Sequence, residues 1–266
     1  IVQGRLDSWA ERLGEERLGD LRGFLEDQDE ELGLNSPESW VKVALYARNK
    51  GWIYRGALGT RIEFDWDACE LGWKRIHYCT VVGDVDSVTE ELACGQDVEE
   101  QDCAGWTPLH YSVLKGRMDL APVLIAGGAQ VGTGDVLGWT VLHLAACHGH
   151  LECLREILER GGGLGDVKSD GATPLHCASK HGRLSCLREL LDWGANANEK
   201  TEDGATPLHL ACMNGHVDCV RELLERGGSI NEKEDSGASP LHCACKGGHL
   251  DCVRELLDRG GGVSER

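Results

Sequence analysis

The sequence predicts an all-α solenoid, a stack of similar helix pairs that contact only their neighbours in the chain. Three observations support this prediction. A histidine recurs every 33 residues from His77 to His242, a glycine recurs in the same register from Gly72 to Gly237, and a second glycine follows each apolar segment. A strict period of this length is typical of repeat architectures, because one such unit cannot bury its apolar face alone.

Each unit is predicted to begin with a short first helix. From the second unit onward the histidine ends a four-residue motif, in which a Thr or Ser usually precedes a Pro. The hydroxyl can cap the helix, and Pro fits the first turn because its missing N–H costs nothing there. The motif occupies Thr107–His110, Thr140–His143, Thr173–His176, Thr206–His209 and Ser239–His242.

A second helix is predicted after a glycine break, as the third unit illustrates. Gly149 interrupts the chain, and Leu151, Leu154 and Ile157 then recur at the spacing of one apolar helix face. Gly161 follows, where the helix must end in a left-handed turn. A polar, hairpin-like loop leads on to the next unit. The equivalents of Gly161 are Gly95, Gly128, Gly194, Gly227 and Gly260.

The period and the motifs together resemble the ankyrin repeat family. The resemblance covers residues 69–266 and implies an ankyrin-repeat solenoid of six repeats, each with two helices and a hairpin loop. The first repeat is divergent or acts as a cap, because it has Lys74-Arg75-Ile76-His77 in place of the motif. The six repeats are predicted at 69–101, 102–134, 135–167, 168–200, 201–233 and 234–266.

Residues 1–68 give a weaker pattern. An approximate helical face from Leu6 to Leu25 is interrupted by three glycines, and Ser36-Pro37-Glu38 is a good helix start. We therefore predict a mainly helical segment. A decayed seventh ankyrin repeat is the alternative, because Ser39-Trp40 lies 33 residues before Gly72-Trp73, although Ala44 stands at the histidine position.

Composition excludes several classes of function. A formal net charge of −18 argues against direct nucleic-acid binding and favours basic partners. No apolar run is long enough to span a membrane, and the first residues lack the pattern of a secretory signal. The 13 cysteines suggest reduced thiols in the cytoplasm or nucleus, because the number is odd and no export signal is visible. We expect a monomer.

No catalytic, metal or cofactor site is predicted. Six of the histidines share one repeated position, whereas catalysis needs different groups that converge once on a substrate. Cys153, Cys186, Cys219 and Cys252 recur every 33 residues on the predicted buried side of the second helix. Zinc binding through Cys177, Cys212, Cys243 and Cys245 is disfavoured, because no C-x-x-C pair occurs. The glycine clusters match no phosphate loop and follow helices rather than preceding them.

The predicted function is protein binding by a module or scaffold. The alternative is the recognition or regulatory arm of a larger enzyme, such as a ubiquitin ligase or a kinase, whose catalytic domain lies outside these residues. A free-standing enzyme is disfavoured, because residues 1–68 contain no histidine and no nucleophile motif.

The resemblance also implies a docking surface, since ankyrin proteins usually bind on the concave side formed by the hairpin tips and first helices. This surface is predicted to change from apolar to charged along the chain. The apolar anchors would be Trp106, Leu137 and Trp139, although a Trp at this position can instead pack between hairpins. The predicted contact residues are Ala104, Trp106, Leu114, Lys115, Val136, Leu137, Trp139, His148, Lys180, His181, Glu202, Asp203, Asn214 and Asp235.

Overall fold

The computed structural model describes residues 73–262, which contain twelve α-helices in six consecutive pairs. The first helices are α1 (Arg75–Val82), α3 (Pro108–Leu114), α5 (Val141–His148), α7 (Pro174–Lys180), α9 (Pro207–Met213) and α11 (Pro240–Gly247). The second helices are α2 (Val85–Ala93), α4 (Ala121–Ala126), α6 (Leu151–Glu159), α8 (Leu184–Asp192), α10 (Val217–Glu225) and α12 (Leu250–Asp258). The all-α prediction is confirmed. The predictions for residues 1–68 lie outside the described residues.

The first helices begin at the predicted motif, and its histidine completes the cap. In α3 the Thr107 hydroxyl accepts from the backbone N–H of His110, while His110 Nδ1 accepts from the backbone N–H of Thr107 at 3.1 Å. This reciprocal arrangement is a capping box with histidine in the place of the usual Glu or Gln. In α1, where Lys74 stands in place of Thr, the histidine half of this cap is kept, because His77 Nδ1 accepts from the backbone N–H of Lys74 at 3.1 Å. The divergent first unit therefore still forms a normal helix start.

The second helices bury one apolar stripe and end at left-handed glycines. Helix α6 buries Cys153, Leu154, Ile157 and Leu158, so the predicted face is correct. Gly161 then adopts φ 88°, a conformation that costs a residue with a Cβ considerably more. The five equivalent glycines also have positive φ, which confirms the predicted helix stops.

Helices of the same kind pack side by side in chain order. The six first helices form one row, and the second helices α6, α8, α10 and α12 contact one another in a second row. The core lies between the rows, where Leu142, Leu154, Leu175 and Leu187 are at most 1% exposed. Each helix thus buries apolar surface mainly against the other helix of its pair and against the neighbouring pair.

The hairpin loops also approach one another closely. At Gly138, with φ 78°, an added Cβ would lie 2.9 Å from the carbonyl oxygen of Val167 in the following loop. Contacts this short do not occur for real Cβ atoms, so only glycine allows the two loops to pack. The predicted glycine register therefore reflects contact between loops as well as turn geometry.

Neighbouring pairs are linked by side chains that donate to backbone carbonyls. The forward links run from Nε2 of the motif histidine to the carbonyl 29 residues later, at 3.1 to 3.3 Å. The backward links run from a basic side chain in the turn between the two helices to a carbonyl of the preceding pair. The forward donors are His77, His110, His143, His176 and His209, and the backward donors are Arg117, His150, Arg183, His216 and His249.

Candidate protein-binding surface

The hairpin tips form one continuous ribbon, which we call the tip row. Each tip donates a backbone N–H to a carbonyl of the preceding tip, as from Val136 to Ala104 at 3.1 Å and from Ser169 to Leu137 at 2.9 Å. The same bond joins Glu202 to Asp170 and Asp235 to Asp203. The tip row consists of residues 103–104, 136–137, 169–170, 202–203 and 235–236. These bonds hold the tips in a defined register.

The second tip of this row is apolar and faces solvent. Val136 is 72% exposed and Leu137 is 54% exposed. Asp135 anchors the tip from below, because its carboxylate accepts from the backbone N–H groups of Leu137 and Trp139 at 2.8 Å. The structure thus presents two of the predicted contact residues on a rigid turn.

The prediction that Trp106 is an exposed anchor is wrong. Its side chain is 5% exposed and packs against His110 and Tyr111. Its Nε1 donates to the Asp135 carboxylate of the next hairpin at 2.9 Å. The alternative, in which Trp packs between adjacent hairpins, describes Trp106 correctly.

Trp139 occupies the equivalent position one repeat later but meets a different neighbour. Lys168 stands where the preceding interface has Asp135, and its ammonium lies 4.4 Å from the centre of the Trp139 ring. Such a contact is a cation–π interaction. Trp139 is half-buried as a result, and part of its ring remains accessible. Leu114 is 7% exposed and belongs to the core, whereas Ala104 is half-buried.

The following tips are acidic. Glu202, Asp203 and Asp235 are exposed, as predicted from their position in the hairpins. The Asp203 carboxylate accepts from the hydroxyl of Thr201, so this side chain is held within its own tip. The tip row therefore changes from apolar at residues 136–137 to negatively charged at residues 202–203 and 235.

The other predicted contact residues lie at the opposite ends of the first helices. Lys115, Lys180, His181 and Asn214 are exposed, and His148 is half-buried. They belong to what we call the turn row, residues 115–117, 148–150, 180–183 and 214–216, where the first helix of each pair leads into the second. A first helix of seven or eight residues, about 11 Å long, lies between the two rows.

The motif histidines serve the scaffold. Those from His77 to His209 are fully buried. A carbonyl can only accept and a backbone N–H can only donate, so Nε2 carries the proton and Nδ1 is the acceptor. Burial lowers their pKa values, to about 4 for His143. Each ring is therefore neutral near pH 7, with both nitrogens engaged in structural bonds.

The recurring cysteines are buried free thiols. Burial raises the pKa values of Cys153, Cys186 and Cys219 to about 11, so these thiols are protonated near neutral pH and poor nucleophiles. Across residues 73–262 no three side chains of the metal-binding types converge closely enough to hold an ion. In the same residues no helix has the length and apolar character that crossing a membrane requires.

Comparison with known proteins gives one family. The model for ankyrin repeats (3 copies) matches residues 76–163, 128–201 and 193–265, which together cover most of the chain and all six pairs of helices. No curated protein matches the chain.

Proposed function

The chain belongs to the ankyrin repeat family, and we propose that its stack binds a partner protein through the tip row, with Leu137 as the main anchor. Ankyrin repeats are protein–protein interaction modules that are typically non-catalytic. The proposal adds the surface and the anchor to this general role.

The exposed pair Val136 and Leu137 carries the proposal. Burying an aliphatic side chain of this size contributes about 1.5 to 3 kcal/mol, which is not gained while the tip stays in water. The tip is also preorganised, because Asp135 holds it from below and the backbone bonds hold it on both sides. A partner that covers Leu137 would therefore gain apolar burial with little ordering cost.

The neighbouring residues support a partner of mixed character. The accessible part of Trp139 extends the apolar surface beside Leu137, and the acidic tips at Glu202 and Asp235 favour basic groups farther along. A segment with an apolar side chain followed by basic ones would match both parts. Opposite charges at the rim of such a contact mainly set the orientation and the association rate.

The test compares two exposed apolar residues on different faces. Leu137→Asp changes the tip, and Trp193→Asp changes a side chain that is 46% exposed at the end of α8, in the row of second helices. Partners captured by the wild-type chain would be identified by quantitative mass spectrometry, and the affinity of a purified partner would then be measured for both variants. We expect Leu137→Asp to weaken binding more than about tenfold and Trp193→Asp to leave it nearly unchanged.

Circular dichroism of each variant would confirm that the helices remain folded. Loss of affinity in Trp193→Asp with full retention in Leu137→Asp would show that the partner binds the row of second helices instead.

A further inference from the structure

The turn row differs in charge from the rest of this acidic chain. Residues 115–117, 148–150, 180–183 and 214–216 contain Lys, Arg, His, Asn and Gly, and no Asp or Glu, in a protein of formal net charge −18. A run of bases along one edge is unexpected by composition alone. It lies at the other end of the first helices from the tip row.

The turns are held together in register. His150 Nε2 donates to the Leu114 carbonyl at 3.1 Å, Arg183 Nε to the Cys147 carbonyl at 3.0 Å, and His216 Nε2 to the Lys180 carbonyl at 3.0 Å. The rings of His148 and His150 stack with centroids 5.9 Å apart. The basic side chains are therefore arranged along one continuous ribbon that spans four helix pairs.

Arg117 pairs with the Asp119 carboxylate at 2.9 Å, but the central bases of the turn row have mainly other bases as charged neighbours. His181 lies among Lys180, Arg183, His148 and His216, and His148 lies among His150, Arg183 and Lys115. Burial is the main cause that lowers the pKa of both rings, and each of these neighbours lowers it further. Within the described residues, no carboxylate is among the main groups that shift the pKa of either ring.

The second-helix row shows the opposite arrangement. There Arg155 pairs with Glu189, Arg188 with Glu222 and Arg221 with Glu255, each across one interface and at 2.7 to 2.9 Å. The charges of those arginines are therefore balanced by glutamates of the neighbouring pair. In the turn row, by contrast, neither Lys180 nor Arg183 has a carboxylate partner among residues 73–262.

The start of α8 adds to the positive potential at the centre of the row. Its N-cap is Arg183, no side chain caps its first N–H groups, and its first turn contains no acidic residue. Helices α6 and α10 also lack a side-chain cap, but each has one acidic residue in its first turn. The N-terminus of a helix favours anions, because its N–H groups and its dipole both point to them.

We propose that the turn row binds an acidic segment of a partner protein, with carboxylates centred on Lys180, Arg183 and the start of α8. Carboxylates on an extended chain can contact successive turns, and Arg183 can donate to one in addition to its bond to the Cys147 carbonyl. A short acidic segment fits better than a long nucleic acid, because it would contact the turn row alone, whereas a long polyphosphate would also meet the acidic remainder of the chain. The proposal concerns a second surface and does not depend on binding at the tip row.

Protonation of the row should strengthen this binding. His148 and His181 face Lys115, Lys180, Arg183, His150 and His216, and an arriving carboxylate would stabilise their charged forms. Affinity for an acidic segment should therefore rise as the pH falls from about 7.5 to about 6.

The test measures fluorescence anisotropy of a labelled octaglutamate peptide with the full chain, at about 20 mM salt, where screening is weak. Lys180→Gln combined with Arg183→Gln removes two charges from the row. Lys200→Gln combined with Lys233→Gln removes two charges from the hairpin loops and serves as the matched control. We expect the first pair to weaken binding about fivefold or more and the control to change it less than about twofold.

Three further measurements complete the design. Lys180→Gln alone should weaken binding and leaves the Arg183 bond to the Cys147 carbonyl intact, so an effect in this variant cannot come from a loosened stack. Leu137→Asp should leave octaglutamate binding unchanged, which separates this proposal from binding at the tip row. Affinity at about pH 6 should be about threefold higher than at about pH 7.5.

Several results would overturn the proposal. The proposal is wrong if octaglutamate shows no saturable binding, if the row variant and its control weaken binding equally, or if an octathymidylate binds more tightly than octaglutamate. The last result would assign the row to phosphates instead of carboxylates.

Discussion

The pairs α7–α8 and α11–α12 have nearly the same sequence pattern but very different surroundings. Helix α7 buries six residues from Pro174 to Ser179, whereas α11 buries only Pro240, Cys243 and Ala244. In the second helices, Leu191 is 8% exposed and its equivalent Leu257 is 54% exposed. Among the described residues, α7–α8 has neighbours on both sides and α11–α12 on one.

The histidines of the two pairs show the same contrast. His176 and His242 both accept at Nδ1 from the N-cap residue of their own helix. Only His176 also donates from Nε2 to the next pair, at 3.2 Å to the Ala205 carbonyl, and it is fully buried while His242 is exposed. The motif therefore fixes the local helix start, while its contribution to stability depends on the neighbouring pair.

The largest difference is expected between His176→Ala and His242→Ala. The first change leaves the Thr173 N–H unpaired in the core, removes the bond from the ring to the Ala205 carbonyl and opens a cavity, which should lower the free energy of unfolding by about 3 kcal/mol. The second should cost less than about 1 kcal/mol, because water replaces the ring. Urea denaturation followed by circular dichroism gives both values. Equal losses would mean that the ring acts only through its own helix.

A smaller difference is expected for the leucines. Leu191→Ala removes a buried side chain and should cost about 2 to 3 kcal/mol. Leu257→Ala should cost less than about 1 kcal/mol, because much of that side chain is already in water. The same urea experiment applies, and a loss at position 257 as large as at position 191 would show that the outer face of α12 is covered in solution.

Acid should destabilise the buried interfaces through their histidines. The folded pKa of His143 is about 4, below its ordinary value, so its contribution is complete above about pH 6.5 and is lost as the pH falls toward 4. Between about pH 7 and pH 5 this ring alone should account for about 2 kcal/mol of lost stability.

Two variants test this assignment: one removes the His143 ring, and the control keeps all the buried rings. His143→Ala should lower stability at pH 7 and flatten its dependence on pH, while Leu257→Ala should leave that dependence as in the wild type. A slope that His143→Ala does not change would assign the acid sensitivity to other groups.

The smallest difference is expected for the arginines of the outer row. Arg188 contacts the Glu222 carboxylate of the next pair at 2.7 Å, whereas Arg254 reaches only Asp251 of its own helix at 3.7 Å. Arg188→Ala should therefore lower the stability slightly more than Arg254→Ala at low salt, and the gap should shrink in about 1 M salt. A gap that persists at high salt would indicate packing of the arginine stem instead of charge.

Local rules predicted much of the helical framework. The first helices follow the Pro-containing motif, and the helix stops fall at Gly161 and its equivalents, because capping and left-handed turns depend on residues within one unit. The fold class and the buried face of α6 followed from the same kind of pattern.

Exposure on the binding side could not be predicted in the same way. Trp106 and Trp139 occupy equivalent positions, yet one donates to Asp135 and is buried, while the other lies beneath Lys168 and remains partly accessible. The deciding residue lies 29 positions later and belongs to another unit. The positive charge of the turn row could likewise not be predicted from the net charge of −18, because it arises when the fold brings bases from four turns side by side.

All the forward and backward links end on backbone carbonyls. The accepting residues include Trp, Ala, Leu, Cys, Lys and Gly, so the side chain at the receiving position has no part in the bond. A unit that carries its own donors can therefore attach to almost any preceding or following unit. In evolutionary terms, a 33-residue segment can be duplicated, deleted or exchanged in frame without loss of these backbone-directed bonds at the junction.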